Sequence, residues 1–356
     1  MQRLIVGLFF GICEIAAASA SPVGERHLLG SEASAGLRDA KNSDQLRVTI
    51  WYPAAANAVE EPLDIGPPNQ PLFRPGKAAQ DAGFLDDRAR PVILLSHGFG
   101  GTARIMAWFG IALAREGYVV VAVDHPGNNG RDQMTVAGAT LFWERPGDLR
   151  AALTRVKADP AIAPHLDLAR LGVSGFSAGG FTGLAAAGAR VDVQRFRAFC
   201  VANPSDGICA PQKEFAVSRA QAAQFLGSPE AADELARSRE DLSIEGVKAV
   251  FVMAPAIVQS LDPASLSRLS LPVDIIAGDA DEVANPKTNA QVAAAAIPGA
   301  RITLLPGVGH YDFLSECTPA GDKAVPVCPT KVPRSETHKA AIDEALLFFG
   351  KTLGAP

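Results

Sequence analysis

The chain has 356 residues, 48% of them hydrophobic and 20% charged, with a formal net charge of −5. This composition supplies core material for one large domain or two small ones. The negative balance and the lack of any basic run argue against a nucleic-acid or anionic-membrane surface, so no nucleic-acid partner is expected.

Residues 1–20 read as a secretory signal. Arg3 gives the positive start, residues 4–15 the apolar stretch, and Ala18-Ser19-Ala20 a small-residue cleavage pattern. The apolar stretch is shorter than the roughly 20 residues a bilayer span needs. No second long apolar segment follows, so no transmembrane segment is expected. The mature chain, 21–356, is expected to be secreted or periplasmic.

Strand and helix patterns then alternate. Residues 47–52 alternate in the two-residue rhythm of a half-exposed strand that stops at Pro53. Residues 54–90, rich in Pro, Gly and Ala, read as a long connecting loop. Residues 91–96 are a continuous apolar run, suited to a strand buried on both faces. A helical pattern at 102–116, a second buried strand at 118–123 and a helix at 146–159 follow. The strand 170–174 leads into Gly175-Phe176-Ser177-Ala178-Gly179, and Gly179-Gly180 opens an Ala/Gly-rich helical run to Arg190. Apolar strands at 247–253, 273–277 and 301–305 precede a final amphipathic helix at 335–353. Repeated βα units of this kind predict one α/β domain, a mostly parallel sheet with helices on both faces. Residues 205–246 are polar and helical, with Ser228-Pro229-Glu230 as a helix start, and predict a lid over one sheet edge.

Beyond the signal stand Cys200, Cys209, Cys317 and Cys328, an even number that fits an oxidising compartment. Four cysteines allow three connectivities. Cys200–Cys209 with Cys317–Cys328 is the expected pairing, because each pair closes a short polar loop. Metal binding is the alternative, but no Cys-x-x-Cys or histidine cluster accompanies them.

The Gly175–Gly179 segment carries the chemistry. Glycine two residues either side of Ser177 permits a sharp strand-to-helix turn that pushes its hydroxyl above the sheet. A Gly-rich turn around an ordinary serine would share the pattern, so the rest of the chain must supply the support. A serine nucleophile needs a base to take its proton. Among six histidines, His310 in Gly307-Val308-Gly309-His310-Tyr311 directly follows the last strand and is the candidate base. His27 lies near the processed terminus, His165 and His338 sit in polar segments that suggest solvated side chains, and His97 and His125 read as structural. Asp281, in Gly278-Asp279-Ala280-Asp281 at a strand end, is the candidate orienting acid, with Asp279 as runner-up. Asp312, two residues from His310, is expected to point elsewhere. Backbone N–H groups of Ala178 and of Phe99, within Ser96-His97-Gly98-Phe99-Gly100-Gly101, are the candidate oxyanion donors. Phe99, Phe176 and Trp108 suggest an apolar acyl or aryl pocket.

Taken together, the strand at 48–53, Leu94-Leu95-Ser96-His97-Gly98, Val123-Asp124-His125-Pro126-Gly127, Gly175 to Gly180, Gly278 to Asp281 and Gly309-His310 resemble a serine α/β-hydrolase. The group resembled joins platelet-activating-factor acetylhydrolases with secreted dienelactone-hydrolase-like proteins. The resemblance covers most of residues 45–350 and implies Ser177 as nucleophile, Asp281 as acid and His310 as base, with oxyanion donors at Phe99 and Ala178. Dienelactone hydrolases use a cysteine nucleophile, so their substrate is not implied here. Platelet-activating-factor enzymes often place the acid after the preceding strand, where Met253-Ala254-Pro255-Ala256 offers none. The expected activity is hydrolysis of a small-molecule or lipid carboxylic ester, with no metal or organic cofactor. A peptidase or amidase with the same three residues is the enzymatic alternative. A noncatalytic member of the fold would require loss of one of them, and none is missing. Oligomeric state and acyl chain length are left open.

Overall fold

A computed structural model describes residues 21–356; residues 1–20, and the secretory signal expected there, lie outside the described residues. The principal strands are β1 (Val23–Ser31), β2 (Gln45–Pro53), β3 (Arg90–Ser96), β4 (Val119–Asp124), β5 (Leu166–Phe176), β6 (Val247–Met253), β7 (Val273–Gly278) and β8 (Arg301–Leu305). They lie in the order β8-β7-β6-β5-β3-β4-β2-β1, extended at the β1 edge by the short strands Lys77–Gln80 and Glu61–Pro62. From β8 through β4 every neighbouring pair is parallel, and β2 and β1 join antiparallel. The mostly parallel α/β sheet expected from the βα repeats is what forms.

Side chains alternate across each strand, and both faces are covered, which is why these strands read as unbroken apolar runs. Val92 and Leu94 of β3 face a core shared with Leu149 and Val156 of helix α2 (Arg145–Lys157) and Phe181 and Leu184 of α3 (Ala178–Ala186). Ile93 and Leu95 face the other core, with Phe109 and Leu113 of α1 (Ala107–Arg115) and Phe348 and Phe349 of the last helix, Arg334–Leu353. β2 departs from the half-exposed expectation: Val48, Ile50 and Tyr52 enter the first core and Trp51 the second, so both faces are buried.

Strand β1 was not anticipated. Its inward Glu25 breaks the apolar alternation, yet it is buried against Trp51, whose Nε1–H donates at 2.8 Å, and Arg104, which donates at 2.7 Å. The supposed loop at 54–90 also holds short strands, including Phe73–Arg74, which pairs antiparallel with Glu316–Cys317.

The sheet order reverses at β3, which lies between β5 and β4. Crevices at the carboxyl ends of strands form at such a switch point. Ser96 ends β3 and Phe176 ends β5, so the two candidate loops emerge side by side. After α3 come helix α4 (Val193–Ala202), α5 (Arg219–Leu226) and a helical turn at Ala232–Arg237, the last two within the 205–246 segment expected to form a lid. Ser228 makes no side-chain cap; the capping box forms instead at Ser218 with Gln221. Both expected disulfides are present, Cys200–Cys209 and Cys317–Cys328. Among the described residues no helix is long and apolar enough to cross a membrane.

Candidate active site

Ser177 stands between β5 and α3 with φ 57° and ψ −118°, a strained left-handed geometry for a residue with a side chain. The flanking glycines make it possible. A Cβ on Gly175 would lie 2.2 Å from the carbonyl oxygen of Gly179, and one on Gly179 would lie 2.0 Å from that of Ser96. The carbonyl of Ser177 is itself held by the N–H groups of Gly180 at 2.8 Å and Ala256 at 3.0 Å.

His310 comes from the turn after β8. Its Nε2 lies 2.9 Å from Ser177 Oγ, and its Nδ1 lies 2.7 Å from Asp281 Oδ2. The Asp281 Oδ1 atom accepts the N–H groups of Val283 at 2.9 Å and Ala284 at 2.8 Å. With Asp281 ionised, Nδ1 must be the donor, which leaves the Nε2 lone pair to receive the serine proton. All three residues are buried, none more than 6% exposed. The other two acids are spent elsewhere: Asp279 accepts the N–H of Gly307 at 2.7 Å, and Asp312 that of Gly309 at 2.8 Å. Both brace the turn that presents His310.

Ala178 is the first residue of α3, where a backbone N–H has no intrahelical partner. The loop after β3 packs directly against the serine, since a Cβ on Gly98 would meet Ser177 Cβ at 3.2 Å. Neither Phe99 N–H nor Ala178 N–H is taken by another group among the described residues.

Ser177 and Ala178 open onto a cavity of about 490 Å³. Its walls are largely apolar, with Phe99, Phe142, Phe196, Ile208, Phe215 and Leu226 prominent. Most of the wall comes from residues between 193 and 226. The Cys200–Cys209 disulfide is part of that wall. Trp108 and Phe176 are not. Trp108 stacks on His338 at 3.7 Å and donates to the carbonyl of Phe313 at 3.1 Å, while Phe176 lies in the core beneath the His310 ring. His338, expected in solvent, is buried with its Nε2 2.8 Å from the carbonyl of Leu314. Burial holds its pKa down at about 4.

Beneath the loop after β3 lies a polar cluster of which sequence reasoning saw only part. His125 Nδ1 donates to Asp148 at 2.8 Å, and its Nε2 accepts from Ser96 Oγ at 2.9 Å. Arg38 donates two bonds to Asp148, at 2.7 and 2.8 Å. Burial drives the His125 pKa down to about 3, and the same cause holds His97 well below its usual value; both rings are neutral. Asp148, despite the opposing effect of burial, is lowered to about 2 by Arg38 and His125. His97 and His125 thus serve structurally, as expected from the sequence.

The one grouping of metal-capable side chains among the described residues is Cys317, Asp322 and Cys328. Its two sulfurs are joined in a disulfide, which leaves no thiolate to ligate an ion.

A strained serine between two backbone-lined loops, over a switch point of a mostly parallel sheet, defines the α/β-hydrolase class. The alpha/beta hydrolase family profile matches residues 92–320, and the chain belongs to that family. No curated protein matches the chain. Among solved structures, it is similar to a ferulic acid esterase from Streptomyces cinnamoneus, with 19% identity and a TM-score of 0.61 over 95% of this chain and 92% of that one. At this identity the likeness is one of fold.

Proposed function

We propose that this protein is a serine hydrolase of carboxylic esters. Ser177 Oγ attacks the ester carbonyl while His310 Nε2 takes its proton, and Asp281 holds the imidazole in the receptive tautomer and stabilises its charged form. The tetrahedral oxygen is received by the N–H groups of Phe99 and Ala178. His310 then returns the proton to the leaving alcohol, and water, deprotonated by the same imidazole, hydrolyses the acyl-serine. The observation that carries this reading is the hydrogen-bonded chain Ser177–His310–Asp281 opening onto an apolar cavity.

The cavity favours an apolar acyl or aryl group, and the esterase named for the structural neighbour agrees with ester chemistry. Residues 205–246, together with α4, act as the lid that sets acyl size. The serine nucleophile and the acid at Asp281 fit the platelet-activating-factor acetylhydrolase and dienelactone-hydrolase-like group, though not dienelactone as substrate. Two disulfides and the sequence of residues 1–20 support export.

The test is hydrolysis of a short-chain p-nitrophenyl ester by the purified mature protein, with fluorophosphonate labelling. Turnover with a label on Ser177, both abolished in Ser177→Ala, is expected. Turnover retained by Ser177→Ala would refute the proposal.

A further inference from the structure

Arg145 opens α2 and is 2% exposed. Each of its nitrogens points to a different part of the candidate oxyanion site. Nε donates to Thr182 Oγ1 at 3.1 Å, and the Thr182 hydroxyl donates in turn to the carbonyl of Ala178 at 2.9 Å. One terminal nitrogen donates to the carbonyl of His97 and, at 3.3 Å, to Ser96 Oγ. The other reaches Asn128 Oδ1 at 3.5 Å, the same oxygen that accepts the N–H of Gly100 at 3.0 Å. His97 then continues the chain. Its Nδ1–H donates at 2.6 Å to the carbonyl of Gly98, which belongs to the peptide whose N–H is that of Phe99.

The electrostatics are unusual. No carboxylate among the described residues lies within salt-bridge distance of Arg145; every acceptor around it is neutral. Asp148, the acid whose charge acts on Arg145, is engaged by Arg38 and His125, and Glu144 and Glu32 act on Arg38. Burial, with Arg38 adding to it and Asp148 opposing, lowers the Arg145 pKa to about 9, which still leaves it charged at neutral pH. Arg145 therefore carries its charge with no direct ion-pair partner, while Arg38 draws on Asp148, Glu144 and Glu32, and His97 and His125 are neutral. A positive charge in a poorly screened interior acts over longer range than it would in water.

We propose that Arg145 is a positioning residue of the oxyanion site. It clamps the loop presenting Phe99 N–H to the helix presenting Ala178 N–H, and its charge, touched by no carboxylate, favours the negative oxygen of the transition state. The inference rests on the serine-hydrolase reading above. A charge that acts only when the oxyanion forms should alter kcat and leave KM nearly unchanged.

The experiment compares Arg145→Met, Arg145→Lys and Asn128→Asp with the unaltered protein on one aryl ester. It also measures the affinity of a trifluoromethyl ketone, which adds Ser177 Oγ to its carbonyl as a hemiketal oxyanion while the proton passes to His310, against that of the matching methyl ketone. Arg145→Met should lower kcat roughly tenfold to a hundredfold, with KM within about twofold. Affinity for the trifluoromethyl ketone should fall by the same factor, and affinity for the methyl ketone should hold. Arg145→Lys, which keeps an amine but loses the three-armed contact, should recover only part of the loss. Asn128→Asp, which neutralises the guanidinium without removing it, should reproduce the Met pattern. Undiminished kcat in Arg145→Met or in Asn128→Asp would overturn the proposal. If Arg145→Met does not fold, Asn128→Asp decides, since it keeps the guanidinium in place. An unaltered protein that neither turns over ester nor labels at Ser177 refutes the hydrolase reading itself. An active, labelled protein with indifferent Arg145 variants refutes only the role of Arg145.

Discussion

Replacing Gly179 with alanine adds one methyl group at the most crowded point of the site. The new Cβ would lie 2.0 Å from the carbonyl oxygen of Ser96, 2.6 Å from its carbon and 2.9 Å from the carbonyl oxygen of His97. All of these are backbone atoms, so no side chain can swing aside. Ordinary contact begins near 3.4 Å, so the helix after Ser177 and the loop after β3 must separate by more than 1 Å. Those two segments carry the proposed oxyanion donors at Ala178 and Phe99. Loss of one such donor costs about 10²–10³ in kcat, and overpacking costs about 1–3 kcal/mol of stability. We expect Gly179→Ala to fold with a lowered Tm and to lose at least about 10²-fold in kcat. Stopped assays with a p-nitrophenyl ester, scaled to the fraction of Ser177 titrated by fluorophosphonate, measure this. Turnover within threefold of the unaltered protein would refute the claim that close packing of these segments builds the site.

Asp281→Asn should leave Ser177 in place and lower kcat by about 10⁴, because the imidazole would lose both its tautomer and its counter-charge; steady-state kinetics at matched protein concentration checks this. Removing Cys317–Cys328 by paired serine substitution should cost roughly 2–3 kcal/mol and several degrees of Tm, and should lower kcat because the bridge lies just beyond the turn of His310. Removing Cys200–Cys209 should instead change the preference for acyl chain length, since this bridge walls the cavity, and a series of p-nitrophenyl esters would show it. Acid should unfold the protein early. The folded-state pKa values of His97, His125 and His338 lie below the usual 6.5, so the unfolded chain binds more protons. Stability should be intact above about pH 6.5 and fall as pH drops toward 4, by about 1.4 kcal/mol per unit for each histidine, offset in part by Glu144, whose pKa burial and Glu234 raise to about 7. Chemical denaturation at pH 7, 6 and 5 measures the slope; a flat profile would refute the claim that burial keeps protons off these rings.

The central strands were legible because both faces of each are buried, so the chain spells them as apolar runs. The site was legible for a related reason: its residues stand where strands end, next to glycines that the tight turns demand. What stayed hidden depends on partners far away in sequence. Glu25 looks like the end of any strand until Trp51 and Arg104 are beside it. His338 looks solvated on a polar helix until Trp108 stacks on it. Arg145 and Asp148 carry no local signal of burial, and only the fold turns them inward. The cavity that α4 helps to wall was hidden for the same reason, since its other walls come from distant parts of the chain.

The small ladder between Phe73–Arg74 and Glu316–Cys317 has a further implication. It moors the imidazole-bearing segment to surface chain that supplies no central strand, reinforced by the Thr318 N–H on the carbonyl of Leu72 at 2.9 Å. A single protease nick between residues 54 and 90 would spare the scaffold and slacken that mooring. Such a clipped molecule would keep its circular dichroism spectrum while going silent, so the enzyme's weak point lies on its outside, remote from the serine in sequence.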